Sequence, residues 1–548
     1  MQTPGYAELH AHSANTFLEG TDTPAALVAQ AQKLGLSGLA ILDVDGMYSA
    51  VQAARAGEQA GLPIIYGTEL TLDPGVLSAD LSKGATPDSN AHRVVSADLH
   101  KGGVANRNDP GIRLPILASS QTGYHSLCQM LSTHFLAEDG RREATLTLEE
   151  ISGFNDDIFL LTGTAHGPLR RALTAGGMTA ATRVLGQLID TVGPEHIGVE
   201  TSLQPHDPAS LAGTLATLAE SYNLPLVATG AVRCATPEQQ RLADIFSATR
   251  LNLSLDQAEP YLPAWRTFLR SEEEMLHLHC RHPEAVRNAA SLGRQFAFDF
   301  RILEPGLPHY PVPNGQTEET WLRHLTYQGA VERYGSRAEF PRAWEQIDHE
   351  LEIIEQLEFP GYFLIVKDIV DFCSRSGILC QGRGSAANSA VCYALSITAV
   401  DAVKHRMLFE RFLSPERSGA PDIDLDIEAR EREKVIQYVY ERYGRHNAAM
   451  VANVITYRPK SAIRDAARAF GFPEGQVKLW SKRAGSSAPD SVLEVANALQ
   501  KMPRHMGIHP GGMVLTRTPV SQVCPVRWGA MEGRTVLQWD KEDCADAG

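Results

Sequence analysis

Residues 421–427 read PDIDLDI, in which three aspartates alternate with aliphatic side chains. Successive side chains of a strand point to opposite faces, so Asp422, Asp424 and Asp426 share one face. Neighbouring carboxylates on that face lie roughly 6.5 to 7 Å apart and repel one another unless a cation lies between them. Hard oxygen ligands suit Mg²⁺ or Mn²⁺, so the run predicts a divalent-metal site on a strand whose aliphatic face is buried. The alternative is an exposed strand edge with solvated acids.

A glycine-rich segment precedes this run, with the sequence ILCQGRGSAANSA at residues 378–390. The pattern predicts a short strand, a glycine turn and the start of a helix of small residues. Glycine lets the backbone approach an anion, exposed N–H groups at a helix start favour negative charge, and Arg383 adds a guanidinium. The segment therefore predicts a triphosphate cradle, with a purely structural turn as the alternative. Arg411 and Arg417 flank the region and belong either to this site or to surface ion pairs.

A basic stripe follows the aspartates, because Lys460, Arg464 and Arg468 recur every four residues. On a helix this spacing places all three on one face, which suits a phosphodiester backbone. The alternative is a solvated helix face.

The N-terminal region offers a second candidate site. His10 and His12 end a predicted strand, and Asp43, Asp45 and Glu69 lie at later strand ends, where the sites of β/α barrels gather. These histidines are predicted either to share a metal or to act as hydrogen-bonding core residues.

The length and composition of the chain limit the kinds of protein that it can be. The chain has 548 residues, 43% of them hydrophobic, which predicts roughly three or four domains. Apolar runs fall short of the roughly 20 residues that a membrane span needs, and residues 1–6 lack signal-peptide features, so we expect a cytoplasmic protein. The net charge of −15 argues against nonspecific coating of nucleic acid, and the eight scattered cysteines are expected to be reduced, buried thiols.

Strand and helix alternation predicts one barrel-like α/β domain up to about residue 285, with a surface insertion at about 74–110. A proline-punctuated linker at 304–313 is followed by predicted helices at 317–334 and 344–358.

Taken together, these segments resemble the C family of bacterial DNA polymerases, the DNA polymerase III α-subunit family, over essentially the whole chain. The segments that carry the resemblance are residues 7–13, 359–364, 381–390, 408–417, 421–426, 463–465 and 509–514. The amino-acid sequences of residues 377–390 and 453–462 are most similar to those of the error-prone, damage-tolerance branch of this family.

The resemblance implies an α/β multidomain fold and a reaction. It implies a PHP-type β/α barrel at 1–285, a nucleotidyltransferase-like palm at 286–455, a helical thumb at 456–508 and a return to the palm at 509–548. Asp422 and Asp424 match the palm carboxylates that hold two Mg²⁺ ions, and Gly384 and Ser385 match the loop that binds the incoming triphosphate. The implied substrates are primer-template DNA and deoxynucleoside triphosphates, and a sliding clamp and damage-tolerance accessory proteins are implied partners.

The N-terminal domain departs from the metal-binding members of the family. Those members carry Asp-His-Asp where this chain has Asp43-Val44-Asp45, and Arg113, Ala231 and Arg233 stand at further ligand positions. Two arginines would repel a cation. We therefore expect a structural domain without tightly bound metal, in which a degenerate site retains His10, His12, Asp43, Glu69 and His206.

The resemblance also implies that the family continues beyond Gly548, through a third catalytic aspartate, the fingers, and the clamp-binding and nucleic-acid-binding modules. We therefore expect the N-terminal part of an error-prone polymerase that is inactive alone. Two alternatives stay open: a PHP-type metallophosphoesterase, and a noncatalytic nucleic-acid-binding or scaffold protein.

Overall fold

The computed structural model describes residues 5–78, 111–137, 145–154, 157–203, 207–208, 210–262, 267–300, 306–413, 423–482 and 487–547. Most of the predicted insertion at 74–110 lies outside these residues, as do Asp422 and His206. Within the described ranges, no helix combines the length and the apolar character that crossing a membrane requires.

A seven-stranded sheet forms the N-terminal part of the molecule. Its strands, neighbours in chain order, are β1 (Ala7–Ala11), β2 (Gly38–Ile41), β3 (Ile64–Leu72), β4 (Ile112–Ala118), β5 (Ile158–Leu161), β6 (Ile197–Thr201) and β7 (Leu226–Ala228). β4 runs antiparallel to both neighbours, and the other pairs are parallel. A parallel bridge between Ala11 and Val232 joins the two edges of the sheet, which closes a barrel.

Eleven helices accompany these strands in the described part of the chain. They are α1 (Pro24–Lys33), α2 (Ala50–Ala60), α3 (Gly75–Ser78), α4 (Gln121–Phe135), α5 (Leu148–Ser152), α6 (Pro168–Val192), α7 (Leu211–Ser221), α8 (Gln240–Leu251), α9 (Leu255–Ala258), α10 (Glu272–Leu278) and α11 (Pro283–Phe296). α1 begins at Pro24, because the Thr23 hydroxyl accepts a hydrogen bond from the Ala26 N–H and proline suits the first helical position.

A helical cluster follows the barrel. Its helices are α12 (Glu318–Tyr334), α13 (Pro341–Gln356), α14 (Pro360–Arg375) and α15 (Ala390–Ala394). Two short antiparallel strands, β8 (Cys380–Arg383) and β9 (Asp424–Ile427), lie against this cluster. The helix α16 (Arg432–Tyr443) comes next.

The remaining described residues form a four-stranded sheet and five helices. The elements are β10 (Ala448–Thr456), α17 (Pro459–Ala469), α18 (Glu474–Lys482), α19 (Asp490–Leu499), β11 (Pro503–Leu515), α20 (Val520–Val523), β12 (Val526–Trp528), β13 (Thr535–Leu537) and α21 (Lys541–Asp546). The order of strands in this sheet is β11-β10-β13-β12.

The C-terminal sheet shares its core with the barrel. Trp539 and Leu537 are buried in the same apolar cluster as the barrel strands. The Gln538 side chain accepts a hydrogen bond from the Met47 N–H (2.8 Å) and donates one to the Asp45 carbonyl (3.1 Å). Because these contacts hold the loop after β2, the barrel and the C-terminal sheet constrain one another.

Candidate functional site

The strand β9 places two of the three aspartates on one exposed face. Asp424 and Asp426 are exposed, whereas Leu425 and Ile427 are half-buried, so the predicted alternation is confirmed for the described part of the run. Ile423 and Leu425 pack against the helical cluster. Both residues are half-buried, so the predicted burial of the aliphatic face is only partial.

Arg383 lies between the two described carboxylates. Its guanidinium forms ion pairs with Asp424 (3.4 Å) and Asp426 (3.0 Å) across the β8–β9 pair. The register that pairs Arg383 with Asp424 creates this contact. The structure thus brings together the predicted metal-binding face and the arginine of the glycine-rich segment.

The glycine turn lies directly beside Asp424. Gly384 has φ +67°, a left-handed conformation that favours glycine, and a Cβ there would lie 3.9 Å from Asp424 Oδ2. Residues Gly384–Asn388 form a single 3₁₀ turn, in which the Asn388 side chain donates to the Ser385 carbonyl (3.0 Å). The predicted order of strand, glycine turn and helix is confirmed.

The N–H groups at the start of α15 are not available to an anion, which corrects one step of the sequence argument. The buried carboxylate of Glu350 accepts hydrogen bonds from the N–H groups of Ala390 (2.9 Å) and Val391 (3.0 Å) and from the Ser389 hydroxyl (2.7 Å). Burial raises the pKa of Glu350 to about 7 in spite of these donors. Glu350 therefore fixes the helix behind the turn.

Two other residues support this region. Arg411 is exposed on a one-turn helix, Phe409–Arg411, that contacts the Gly384–Asn388 turn. Tyr362, on α14, accepts a hydrogen bond from the Ile423 N–H (3.3 Å) through its hydroxyl, and so holds the chain one residue before Asp424.

The predicted basic stripe lies on α17, but acids already pair with part of it. Lys460 and Arg468 are exposed and Arg464 is half-buried. Arg464 pairs with Asp465 (3.0 Å) and Arg468 pairs with Glu474 (2.7 Å). The face is therefore less cationic than its spacing alone suggests.

The predicted histidines meet Glu69 inside the barrel. His10 Nε2 lies 3.3 Å from Glu69 Oε1, and His12 Nε2 lies 3.1 Å from Glu69 Oε2. All three residues are buried, and one ligand atom from each lies within 4.8 Å of the others. Burial opposes protonation of His10, but Glu200 (2.7 Å) and Glu69 outweigh it and raise its pKa.

A pocket at one end of the barrel contains this cluster. Its lining residues are His10, His12, Glu19, Glu69, Arg113, Thr164, His166, Ala231 and Arg233. β4 runs antiparallel to β3, so Arg113 at its start lies beside Thr71 near the end of β3. Arg233 arrives from the segment after β7 that closes the barrel.

Three arginines surround Glu19, and two of them, Arg113 and Arg233, line the pocket with it. Its carboxylate lies 3.5 Å from Arg113, 3.8 Å from Arg233 and 3.5 Å from Arg250. Burial alone would raise its pKa, but the three guanidinium groups and His12 together lower it to about 2.

Asp43 is not part of this pocket. Its carboxylate accepts hydrogen bonds from the Ser13 N–H (3.0 Å), the Thr16 hydroxyl (2.8 Å) and the Ser49 hydroxyl. The prediction that placed it beside the histidines is wrong, because local hydroxyl groups satisfy it. His206 lies outside the described residues.

Sequence reasoning missed Glu19, His166 and Glu200. Glu200 had a usable signal, because it is a lone acid in the otherwise uncharged strand Ile197–Thr201. Glu19 and His166 lie in loops, where the sequence gives no comparable signal.

Two family models match the chain. The model of the bacterial DNA polymerase III alpha NTPase domain matches residues 320–490 and 483–548. The model of the PHP domain matches residues 8–203.

Several curated relatives match the chain along its whole length. The error-prone DNA polymerase of Mycolicibacterium paratuberculosis is 47% identical, over 99% of this chain and 49% of that protein. The error-prone DNA polymerase of Nocardia farcinica is 45% identical, over 100% of this chain and 50% of that protein. The chain thus spans about half the length of the relatives it matches.

Among solved structures, an amidohydrolase from Chromobacterium violaceum with bound sulfate and no metal is 12% identical, over 42% of this chain and 88% of that one, with a TM-score of 0.25. Such a score supports no argument about this chain. The family models and the relatives agree with the resemblance that the sequence segments carry. The chain therefore belongs to the bacterial DNA polymerase III α-subunit family and matches the N-terminal half of members named error-prone DNA polymerase.

Proposed function

We propose that the chain carries the catalytic carboxylates and the nucleotide-binding loop of an error-prone DNA-directed DNA polymerase, which adds deoxynucleotides to a primer 3′ end. The observation that carries this proposal is the exposed carboxylate of Asp424 beside the left-handed turn at Gly384, with Arg383 alongside. Phosphoryl transfer depends mainly on positioning and charge stabilisation, so it needs carboxylates and a phosphate cradle at one place. The names of the curated relatives support the same activity.

The donor set fits divalent ions. Asp424 and Asp426 offer exposed carboxylate oxygens that share one guanidinium, so their two negative charges are only partly balanced. We assign Asp422 and Asp424 as the ligands of two Mg²⁺ ions, which on binding supply activation of the primer hydroxyl and neutralisation of the triphosphate.

The residues of the turn bind the nucleotide in this proposal. When the aspartates take up their ions, Arg383 exchanges its carboxylate partners for phosphate oxygens, which a guanidinium binds well. The turn at Gly384 and Ser385 allows close approach of a phosphate, because glycine has no side chain there. Arg411, on the neighbouring turn, adds a second guanidinium.

Primer-template DNA is the proposed partner of α17. Lys460, Arg464 and Arg468 hold duplex phosphates, and Arg464 and Arg468 give up their ion pairs with Asp465 and Glu474 to do so. We accordingly assign residues 286–455 and 509–548 to the palm, 456–508 to the thumb and 1–285 to a PHP domain with a structural role. The proposed setting is damage tolerance in the cytoplasm, together with a sliding clamp and accessory proteins.

The test joins this chain to the part of a relative that it does not span. The chain is fused to the C-terminal half of the Mycolicibacterium paratuberculosis polymerase, and primer extension is measured with Mg²⁺. Asp424→Asn should lower extension roughly 100-fold or more, because it removes a metal ligand. Asp190→Asn, on the exposed side of α6 in the barrel, is the matched control and should leave the rate unchanged. Equal extension by the two variants would refute the assignment, and tight primer-template binding without extension in the unmutated fusion would favour the noncatalytic alternative.

The clustered His10, His12 and Glu69 favour a second candidate, a metallophosphoesterase in the barrel. Hydrolysis of p-nitrophenyl phosphate by this chain with added Mn²⁺, abolished by His12→Ala, would support it. We expect no hydrolysis, because Arg113 and Arg233 line the same pocket and repel cations.

A further inference from the structure

We infer that Arg504 is a further residue that binds a DNA phosphate, and that the buried carboxylate of Asp465 holds it in position beside α17. The inference deepens the proposed function, because it rests on the proposal that α17 binds primer-template DNA. Arg504 lies on β11, 39 residues from Asp465, so the four-residue spacing of the basic stripe does not include it. Its contacts with Asp465 and Tyr457 and its partial exposure carry the inference.

Asp465 holds Arg504 through two contacts on one oxygen. Arg504 Nε and Nη2 donate hydrogen bonds to Asp465 Oδ2 at 3.2 and 3.1 Å. The Asp465 side chain is only 3% exposed, so water screens this attraction little. Two N–H contacts restrict the direction of the guanidinium more than one contact does. Asp465 is therefore a positioning residue for Arg504.

Arg464 contacts the same carboxylate through one nitrogen. Its Nε donates to Asp465 Oδ1 at 3.0 Å. Arg464 can exchange this single contact for a DNA phosphate, as proposed above, while Arg504 stays on Oδ2. The charge of the buried carboxylate then remains paired, which avoids the cost of leaving it without a cation.

The ring of Tyr457 holds Arg504 from a second side. The central guanidinium carbon of Arg504 lies 5.4 Å from the centroid of this ring, a distance at which a cation is attracted to an aromatic face. Tyr457 is buried and stacks on Phe246 of α8, with 6.3 Å between the ring centroids and 15° between the ring planes. The barrel thus supports the position of Arg504. A side chain that is already ordered loses less conformational entropy when it binds a phosphate.

One end of the Arg504 guanidinium remains open to an anion. The side chain is 28% exposed, and its Nη1 lies 3.5 Å from His505 Nδ1, which is longer than an ordinary hydrogen bond. Lys460 and His505 are exposed. A phosphate oxygen can therefore accept a hydrogen bond from Nη1 while Asp465 keeps Nε and Nη2.

The charges of the paired groups leave a positive balance. Arg464 and Arg504 share the single carboxylate of Asp465, and Arg468 pairs with Glu474. These three arginines and two carboxylates carry one net positive charge, which favours a phosphodiester over a neutral ligand.

The experiment measures DNA affinity without catalysis. Fluorescence anisotropy of a labelled primer-template duplex is recorded with this chain, without Mg²⁺ or nucleotide, at several salt concentrations between about 50 and 200 mM NaCl. Arg504→Gln should weaken binding about tenfold and reduce the salt slope by roughly one unit, because a charged phosphate contact is lost. Arg504→Lys should keep the slope but bind more weakly, because lysine lacks the paired N–H groups. Arg294→Gln, at an exposed position of α11, is the matched control and should have no effect.

A pair of acid variants tests the positioning role. Asp465→Asn removes a negative charge, which by Coulomb's law alone would tighten DNA binding. We expect binding to weaken about fivefold instead, because Arg504 loses its anchor. Glu474→Gln removes an exposed acid that pairs only with Arg468 among the stripe residues, and should tighten binding about twofold. Asp465→Asn should have a smaller effect when Arg504→Gln is already present, which a merely structural role would not produce. Circular dichroism checks folding.

The outcomes separate this inference from the proposed function. Wild-type affinity and slope in Arg504→Gln, with weaker binding in Arg464→Ala, would overturn the inference and leave the DNA contact of α17 intact. Tighter binding by Asp465→Asn would overturn the positioning role. Absence of DNA binding by the unmutated chain, or wild-type behaviour of both arginine variants, would overturn the proposed DNA contact of α17 together with this inference.

Discussion

Glu350→Ala should destabilise the helical cluster and loosen the turn at Gly384. The Glu350 carboxylate is fully buried and accepts the N–H groups of Ala390 and Val391 and the hydroxyl of Ser389. Its removal leaves two buried backbone donors without an acceptor, and each costs about 1 to 3 kcal/mol. We therefore expect a loss of about 2 to 6 kcal/mol in the free energy of unfolding, with weaker binding of deoxynucleoside triphosphate.

The loss of stability caused by Glu350→Ala should decrease as pH rises. Burial raises the pKa of Glu350 from 4.5 to about 7, so the folded state binds its proton more strongly than the unfolded chain. The contribution of Glu350 to stability therefore falls as pH rises through this interval. Between about pH 5.5 and about pH 8.5 the expected decrease is roughly 2 kcal/mol. The penalty of Glu350→Ala should accordingly be larger at the acidic pH.

Urea unfolding followed by tryptophan fluorescence measures this penalty, because Trp344 is buried in the same cluster. Glu352→Ala, at an exposed position two residues along α13, is the matched control and should change stability by less than about 0.5 kcal/mol. A penalty for Glu350→Ala below about 1 kcal/mol at pH 5.5, or one that grows with pH, would refute the reasoning.

Three further predictions concern single positions. Gly384→Ala should cost about 1 to 2 kcal/mol of backbone strain and weaken nucleotide binding measured by calorimetry, since its φ is +67° and space for a Cβ is present; unchanged affinity would contradict it. Lys460→Ala and Arg464→Ala should each reduce the salt dependence of primer-template binding by roughly one unit, whatever the DNA sequence; wild-type slopes in both would mean a solvated helix face. The pKa of Glu19 is lowered to about 2, so its contribution to stability, roughly 3 kcal/mol, should be lost as pH falls from about 4.5 to 2; Glu19→Gln should remove this part of the acid dependence in denaturant titrations.

Local pattern was enough to predict the elements around Asp424 and Asp426. The alternation of Asp424, Leu425, Asp426 and Ile427 needs only the two-residue period of a strand, and β9 shows it. The strand, turn and helix at residues 378–390 follow from glycine placement, and the four-residue spacing of the basic stripe follows from the helix. Each of these properties depends on neighbours along the chain.

Contacts between distant segments were beyond the reach of such patterns. Glu350 reaches the start of α15 from 39 to 41 residues away, and this contact removes an anion site that the sequence appeared to offer. Asp43 has the residue type and strand-end position of a metal ligand, but the hydroxyls that surround it give it a different role.

The barrel pocket shows most clearly which features local sequence predicts and which depend on contacts between distant segments. The sequence by itself was enough to predict that His10 and His12 lie at the end of a strand and that Glu69 lies at a later one. Only the tertiary structure decided that Glu200, 190 residues from His10, would bind its ring. Only closure of the barrel between Ala11 and Val232 could bring Arg233 to Glu19. The charge of a pocket depends on which chain segments meet there, and that is a property of the packed fold.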